Sequence, residues 1–159
     1  MNYSPIETEY NGEIFRSKTE AVFARCLDLL GALWVYEPTL IPDMPYKPDF
    51  EVAMKCKIAG CTERVLTNWL IEIKPEIPTD SYLKKLGSDF DEICQGGYKQ
   101  YQMLIAISIK TGLFLGCFIR DSDTNEWVES EKTEAWGRHF CTHLQEAKRF
   151  RFDLKHRIS

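Results

Sequence analysis

No apolar run in these 159 residues approaches the length of about 20 that a helix needs to cross a bilayer. The opening segment, Met1 to Tyr10, is polar and acidic and lacks the charged-then-apolar order of a secretory leader, so the expected compartment is the cytoplasm and no membrane partner is expected. There is no internal repeat and no low-complexity stretch, which excludes solenoid and array architectures. A Gly-rich phosphate turn is missing, and the chain is too small for a doubly wound dinucleotide fold. The six cysteines are irregularly spaced and several sit in apolar periodic segments; they read as small core residues rather than a disulfide framework. Cys56 and Cys61 form a lone pair, and Cys141 with His139 and His143 would complete a zinc site only if the fold brought them together. His139 and His143 lie four apart, but no Glu stands between them in H-E-x-x-H form, and a helix surface or partner contact is the favoured reading.

What is present is an ordinary globular composition, 44% hydrophobic and 28% charged, enough for one core-bearing domain over residues 1–159. Its core is expected over about 13–120, with a C-terminal hairpin or helix and a basic tail over 121–159. The net charge of −4 is unevenly spread. Arg138 to Ser159 holds six basic residues against two acidic ones, a net +4, which leaves −8 on the rest. A basic segment on an acidic body suits a protein that binds phosphates at an edge and cations at its centre. A solvated amphipathic segment accounts for the same charges equally well.

The pattern predicts a first helix that opens on the capping box Ser17-Lys18-Thr19-Glu20, runs through Ala21 to Leu30 and stops at Gly31. Leu33 to Tyr36 reads as a strand ended by Pro38. Pro42 and Pro45 mark a turn before a strand around Pro48 to Ala53. Lys55 to Thr67 extends the hairpin to a third strand, Trp69 to Lys74, which Pro75 and Pro78 end. Asp80 to Gln95 has helical spacing, broken at Gly96-Gly97. Leu104 to Ile109 and Leu113 to Ile119 are strands joined by Lys110-Thr111-Gly112. Asp121 to Asn125 is a turn, and Thr133 to Arg149 a final helix. The order implies an α/β protein with a mixed central β-sheet flanked by helices.

Two phrases carry the chemistry: Tyr46-Lys47-Pro48-Asp49-Phe50 and Trp69-Leu70-Ile71-Glu72-Ile73-Lys74-Pro75. Glu72 and Lys74 leave one face of their strand, and Ile71 and Ile73 leave the other. A carboxylate and an ammonium at the end of an apolar strand need a reason to be there. Hydrolysis of a phosphodiester needs a cation to screen its charge, an aligned water and help for the leaving oxygen. Mg²⁺ prefers carboxylates, carbonyls and water. Asp49 and Glu72 on adjacent strands could share such an ion, with the Ile73 carbonyl as a further oxygen. Glu20 could join through water. Lys74 would orient the attacking water or balance charge, with its pKa expected to fall through a neighbouring metal and partial burial.

Pro48-Asp49 followed by Glu72-Ile73-Lys74 resembles the PD-(D/E)XK nuclease superfamily. Phe15-Arg16-Ser17-Lys18-Thr19-Glu20-Ala21, Leu29-Leu30-Gly31 and Tyr36-Glu37-Pro38 resemble its small phage and prophage members. The match spans about Ile14 to Pro75 and extends more loosely to Ile119. The resemblance implies a restriction-endonuclease-like fold with a four- or five-stranded sheet, and Mg²⁺-dependent DNA cleavage, with Mn²⁺ as a substitute. It implies catalytic residues Glu20, Asp49, Glu72 and Lys74, with Asp49, Glu72, Ile73 and Glu20 toward the metal. Arg16, Lys18, Lys84, Lys85, Lys99, Lys148, Arg149 and Arg151 are the cations expected to meet DNA. Two features depart from the pattern. The segment between the Asp and Glu-x-Lys strands is long. Lys99 stands where the recombination exonucleases carry Tyr in Gln-x-x-x-Tyr, which favours an endonuclease.

Each of these residues has a structural alternative. Glu20 could complete its capping box by reaching the Ser17 amide. Asp49 could simply open a strand. Glu72 and Lys74 could guard an edge strand against aggregation. Tyr98, Tyr101 and Trp127 could stack on bases, with core packing the favoured reading. The whole domain could be a DNA-binding or assembly module, or a nuclease subunit of a larger transposition, packaging or recombination complex, inactive alone. Double-strand cleavage would call for two sites and hence a homodimer.

Overall fold

The computed structural model describes residues 6–55, 66–76, 78–96, 101–108, 114–120, 126–129, 146–147, 149–150 and 153–154. The chain opens with a hairpin of β1 (Thr8–Tyr10) and β2 (Glu13–Phe15), followed by α1 (Lys18–Leu29), β3 (Leu33–Tyr36), β4 (Phe50–Lys55) and β5 (Leu66–Lys74). Then come α2 (Asp80–Gly96), β6 (Tyr101–Ser108), β7 (Phe114–Arg120), β8 (Trp127–Glu129) and β9 (Asp153–Leu154). β3 to β8 form a six-stranded sheet in sequence order, and β2-β1-β9 form a small second sheet. Every pair in the large sheet is antiparallel except β5 with β6. A parallel pair needs a crossover, and α2 supplies it.

The sheet is mixed and covered on both faces. Phe50, Val52, Met54, Trp69, Ile71, Leu104 and Ala106 pack with α1 residues Ala21, Phe23, Ala24 and Leu27. The alternate residues Leu70, Met103 and Ile105 pack against Leu86, Phe90 and Ile93 of α2. Both central strands therefore bury both faces, which is why they read as continuous apolar runs. β5 is interior, and Glu72 is 3% exposed, so the edge-strand alternative for Glu72 and Lys74 does not hold.

Local signals explain the first helix. Ser17 caps α1 by accepting from the Glu20 amide. At the other end Gly31 adopts φ +73, and the Gly31 and Ala32 amides donate to Asp28 and Leu27 in the Schellman arrangement. α2 starts on Thr79, whose hydroxyl accepts from the Tyr82 amide. β4 and β5 stay paired out to Lys55 and Leu66, so β5 and the hairpin pairing begin before Trp69.

Several elements differ from expectation. The sheet has six strands rather than four or five, because β8 adds an outer strand. The β1–β2 hairpin was not expected, although Asn11-Gly12, both at positive φ, is a strong two-residue turn signal. Of the expected final helix Glu146, Ala147 and Arg149 are described, the first two helical and Arg149 in a turn; Asp121 to Asn125, Lys110-Thr111-Gly112 and Gly97 lie outside the described residues.

Candidate functional site

The site begins where the β4–β5 ladder stops. The last pair is Phe50 with Ile71, and the same register would set Ile73 opposite Pro48. Pro48 has no N–H to give. The Ile73 amide turns instead to the Asp49 carboxylate, donating to Oδ2 at 2.8 Å. In such a register the N–H and C=O of one residue leave the same strand edge, so the Ile73 carbonyl also faces β4, where proline offers it no donor. A backbone carbonyl at a strand end beside a buried carboxylate is a donor set for a hard cation.

Asp49 is 5% exposed, and Glu72 lies within hydrogen-bonding reach of it. Burial, then the charge of Asp49, pushes the Glu72 carboxyl up to about 8. Tyr46 opposes this by donating to Glu72 Oε1 at 2.5 Å. Lys74 follows Glu72 on the same face, with Nζ 3.7 Å from Glu72 Oε2 and 4.8 Å from the centre of the Tyr82 ring on α2. Burial pulls the Lys74 pKa down, but its hydrogen bond to Tyr82 and the charge of Glu72 outweigh this, and the net shift is upward. Burial alone thus does not bring the expected fall: without a cation, Lys74 is an ammonium held by Glu72 and the Tyr82 phenol.

Glu20 approaches Asp49 from α1, near enough for the charge of Asp49 to act on it. Its carboxylate accepts from the Tyr36 hydroxyl and lies 3.6 Å from Arg16 Nη2. The carboxylate is therefore engaged by Tyr36 and Arg16, away from a simple capping role. Burial raises the Glu20 pKa, the Tyr36 bond opposes that, and Asp49 adds to the rise. Arg16 sits among three carboxylates. Its Nη2 reaches Asp49 Oδ1 at 3.1 Å and its Nε reaches Glu37 Oε1 at 2.7 Å. Glu37 adopts φ +46, an uncommon conformation for a residue with a side chain, and its amide donates to the Asp49 carbonyl at 2.9 Å.

Glu20, Asp49, Glu72 and Lys74 are thus brought together, with Ile73 beside Asp49. Arg16, expected to contact DNA, has its guanidinium on carboxylates. Lys18 is exposed at the start of α1, and Lys84 and Lys85 are exposed on α2. Arg149 is exposed; Lys99, Lys148 and Arg151 lie outside the described residues. Tyr101 packs in the α2-side core and donates to Glu51 at 2.9 Å, and Trp127 donates to the Leu83 carbonyl at 2.8 Å, so both serve packing. Cys26 is buried in α1, and Cys94 is half-buried against the α2-side core, in keeping with a core role. Tyr98, Cys56, Cys61, Cys141, His139 and His143 lie outside the described residues.

The sequence reading missed Tyr36, Glu37, Tyr46 and Tyr82 as site residues. Tyr36 and Glu37 stand in the Tyr36-Glu37-Pro38 phrase, and Tyr46 opens the phrase that contains Asp49. A phenol beside a carboxylate phrase was the available signal.

Among the described residues no three His, Cys, Asp or Glu side chains form a ready metal cage. The donor set is two carboxylates and a carbonyl, which suits an ion that keeps several waters. A buried Glu72 carboxyl pushed up by the charge beside it marks a place where a divalent cation would be stabilising. Among the described residues, no helix is long and apolar enough to cross a membrane. No protein-family model, curated protein or solved structure matches the chain.

Proposed function

We propose that this protein is a divalent-cation-dependent endonuclease that hydrolyses phosphodiester bonds in DNA. The observation that carries the reading is the meeting of Asp49, Glu72 and Lys74 at the end of two buried central strands, where the ladder stops and the Ile73 amide turns to the Asp49 carboxylate. The arrangement fits the PD-(D/E)XK resemblance, and with it a restriction-endonuclease-like fold of phage or prophage type.

Asp49, Glu72 and the Ile73 carbonyl would hold Mg²⁺ or Mn²⁺, with Glu20 reaching it through water. When bound, the ion would screen the phosphate charge and lower the pKa of a coordinated water. The chain's own residues do the rest. Tyr46 fixes the Glu72 carboxylate through its hydroxyl. Lys74, kept protonated by Tyr82 and Glu72, balances charge on the phosphoryl oxygens in the transition state. Exposed Lys18, Lys84 and Lys85, with the basic tail, would contact the backbone phosphates. Double-strand cleavage would pair two copies.

One observation favours a second reading. The Arg16–Asp49 ion pair already neutralises the central carboxylate, as in a module that binds DNA or assembles with partners without cutting. A nuclease subunit active only within a larger phage or recombination complex would fit the same pair. A panel of plasmid, linear, nicked, branched and single-stranded DNA with Mg²⁺ separates these. Cleavage by the isolated chain, lost in Asp49→Ala, supports the nuclease. Binding without cleavage supports the module.

A further inference from the structure

Arg16 has partners far more buried than itself. Its side chain is 63% exposed, while those of Asp49 and Glu20 are 8% and 13% exposed. Its position in the chain is nonetheless fixed. Phe15 before it is fully buried, Ser17 after it caps α1, and its own amide donates to the Tyr36 hydroxyl at 3.2 Å. The backbone is held and the side chain lies in solvent. We infer that Arg16 is a displaceable counter-ion: its guanidinium stands in for a divalent cation beside Asp49 and Glu20, and moves from there to a phosphate oxygen when a cation binds. This rests on the cation-site reading above and adds a positioning role to it.

The geometry divides the guanidinium into an anchored part and a mobile part. Nε is gripped by Glu37 at 2.7 Å and lies 3.3 Å from the Tyr36 oxygen. Only Nη2 reaches into the acidic cluster, to Asp49 and Glu20. A change in the outer torsions withdraws Nη2 without unpacking the core. Glu37, in its left-handed backbone conformation and tied to the Asp49 carbonyl, keeps the side chain at the rim. An exposed ion pair is worth little. A divalent ion carries twice the charge into the same buried carboxylates and displaces it. Guanidinium matches phosphate in fork geometry as well as it matches carboxylate, so the released group has a partner on the substrate. A permanent structural pair would instead have both members buried or packed.

The test is a calorimetric titration of MnCl₂ into metal-free protein without DNA, for wild type, Arg16→Gln, Arg16→Lys and Asp49→Asn. Arg16→Gln should bind Mn²⁺ about tenfold more tightly than wild type, Arg16→Lys in between, and Asp49→Asn should lose binding. Arg16→Lys keeps the charge and the fold if the glutamine variant proves unstable. In parallel, the Arg16 Nε–H signal of nitrogen-labelled protein should move on addition of Mg²⁺. Binding of a short DNA duplex in Ca²⁺ should weaken several-fold in Arg16→Gln although its cation site has become tighter. Equal Mn²⁺ affinity in wild type and both Arg16 variants overturns the counter-ion role and leaves the cation site standing. No Mn²⁺ binding by any variant overturns the site and the inference together. Unchanged duplex affinity in Arg16→Gln overturns the transfer to phosphate.

Discussion

The Ile73 amide donates to the Asp49 carboxylate at 2.8 Å, in the place where Pro48 interrupts the ladder between β4 and β5. One side chain therefore satisfies a strand end and charges the candidate site. These two duties separate by substitution. Asp49→Asn keeps an oxygen for the Ile73 amide and removes a negative charge from beside Glu72 and Glu20. Its urea midpoint should equal or exceed that of wild type, while cation binding is lost. Asp49→Ala orphans a part-buried amide and should cost about 1–3 kcal/mol. If Asn and Ala destabilise equally, the hydrogen bond is not what Asp49 contributes to the fold.

Glu72 gives the metal-free protein a pH signature. Its carboxyl has an ordinary value of 4.5 and is pushed up to about 8 in the folded state, by burial and by Asp49. Between those values the folded state holds more protons than the unfolded one, so stability falls as pH rises. The contribution is fully present below about pH 4.5 and lost by about pH 8, at up to about 1.4 kcal/mol per pH unit. Urea unfolding of metal-free protein from pH 5 to pH 8 should show a falling midpoint, flattened in Glu72→Gln. Saturating Mn²⁺ should also flatten it, since the ion favours the ionised carboxylate. A midpoint that rises over this range in wild type would contradict the upward push that burial and Asp49 exert on Glu72.

Lys74 is held protonated, and this fixes what its removal should do. Lys74→Ala should bind metal and DNA nearly normally and lose turnover by on the order of 10²-fold or more. Single-turnover cleavage with Mg²⁺ is the measurement. Tyr82→Phe removes the phenol oxygen from Lys74 and keeps the ring, so the Lys74 pKa should fall while cation binding persists. Equal cleavage by wild type and Lys74→Ala would mean that a contaminant was being assayed.

The parts legible in the sequence were those with a strict period. Glu72 and Lys74 two apart, with Ile71 and Ile73 opposite, set the faces of β5 directly. The α1 stop at Gly31 was legible because a left-handed terminus selects glycine. The β1–β2 hairpin was not read, since strands of three residues are too short to show alternation, although Asn11-Gly12 marked their turn. Arg16 was assigned to phosphate on charge alone. Its ion pairs with Glu37 and Asp49 span 21 and 33 residues, and no local pattern encodes them. The rise in the Lys74 pKa was likewise invisible, because Tyr82 belongs to a helix that the sequence cannot place against β5.

The basic tail offers the last test. Its one ring among the described residues, Phe150, meets Tyr10 edge to face at 5.4 Å and lies under Arg25 at 5.0 Å. The segment is therefore fastened to β1 and α1 by an aromatic contact, while Arg149 beside it is exposed. Fastening and charge can be removed independently. Changing Lys148, Arg149 and Arg151 together to Gln should flatten log affinity against log salt by about 0.9 for each phosphate no longer neutralised, without changing the single-turnover rate at saturating DNA. Phe150→Ala keeps the charges and should lower stability by about 1 kcal/mol, the scale of an aromatic pair. If the tail reads DNA from a fixed position, Phe150→Ala will also weaken binding. If the triple variant binds as wild type does at every salt concentration, the charges only solvate a packed segment and the tail has no part in holding DNA.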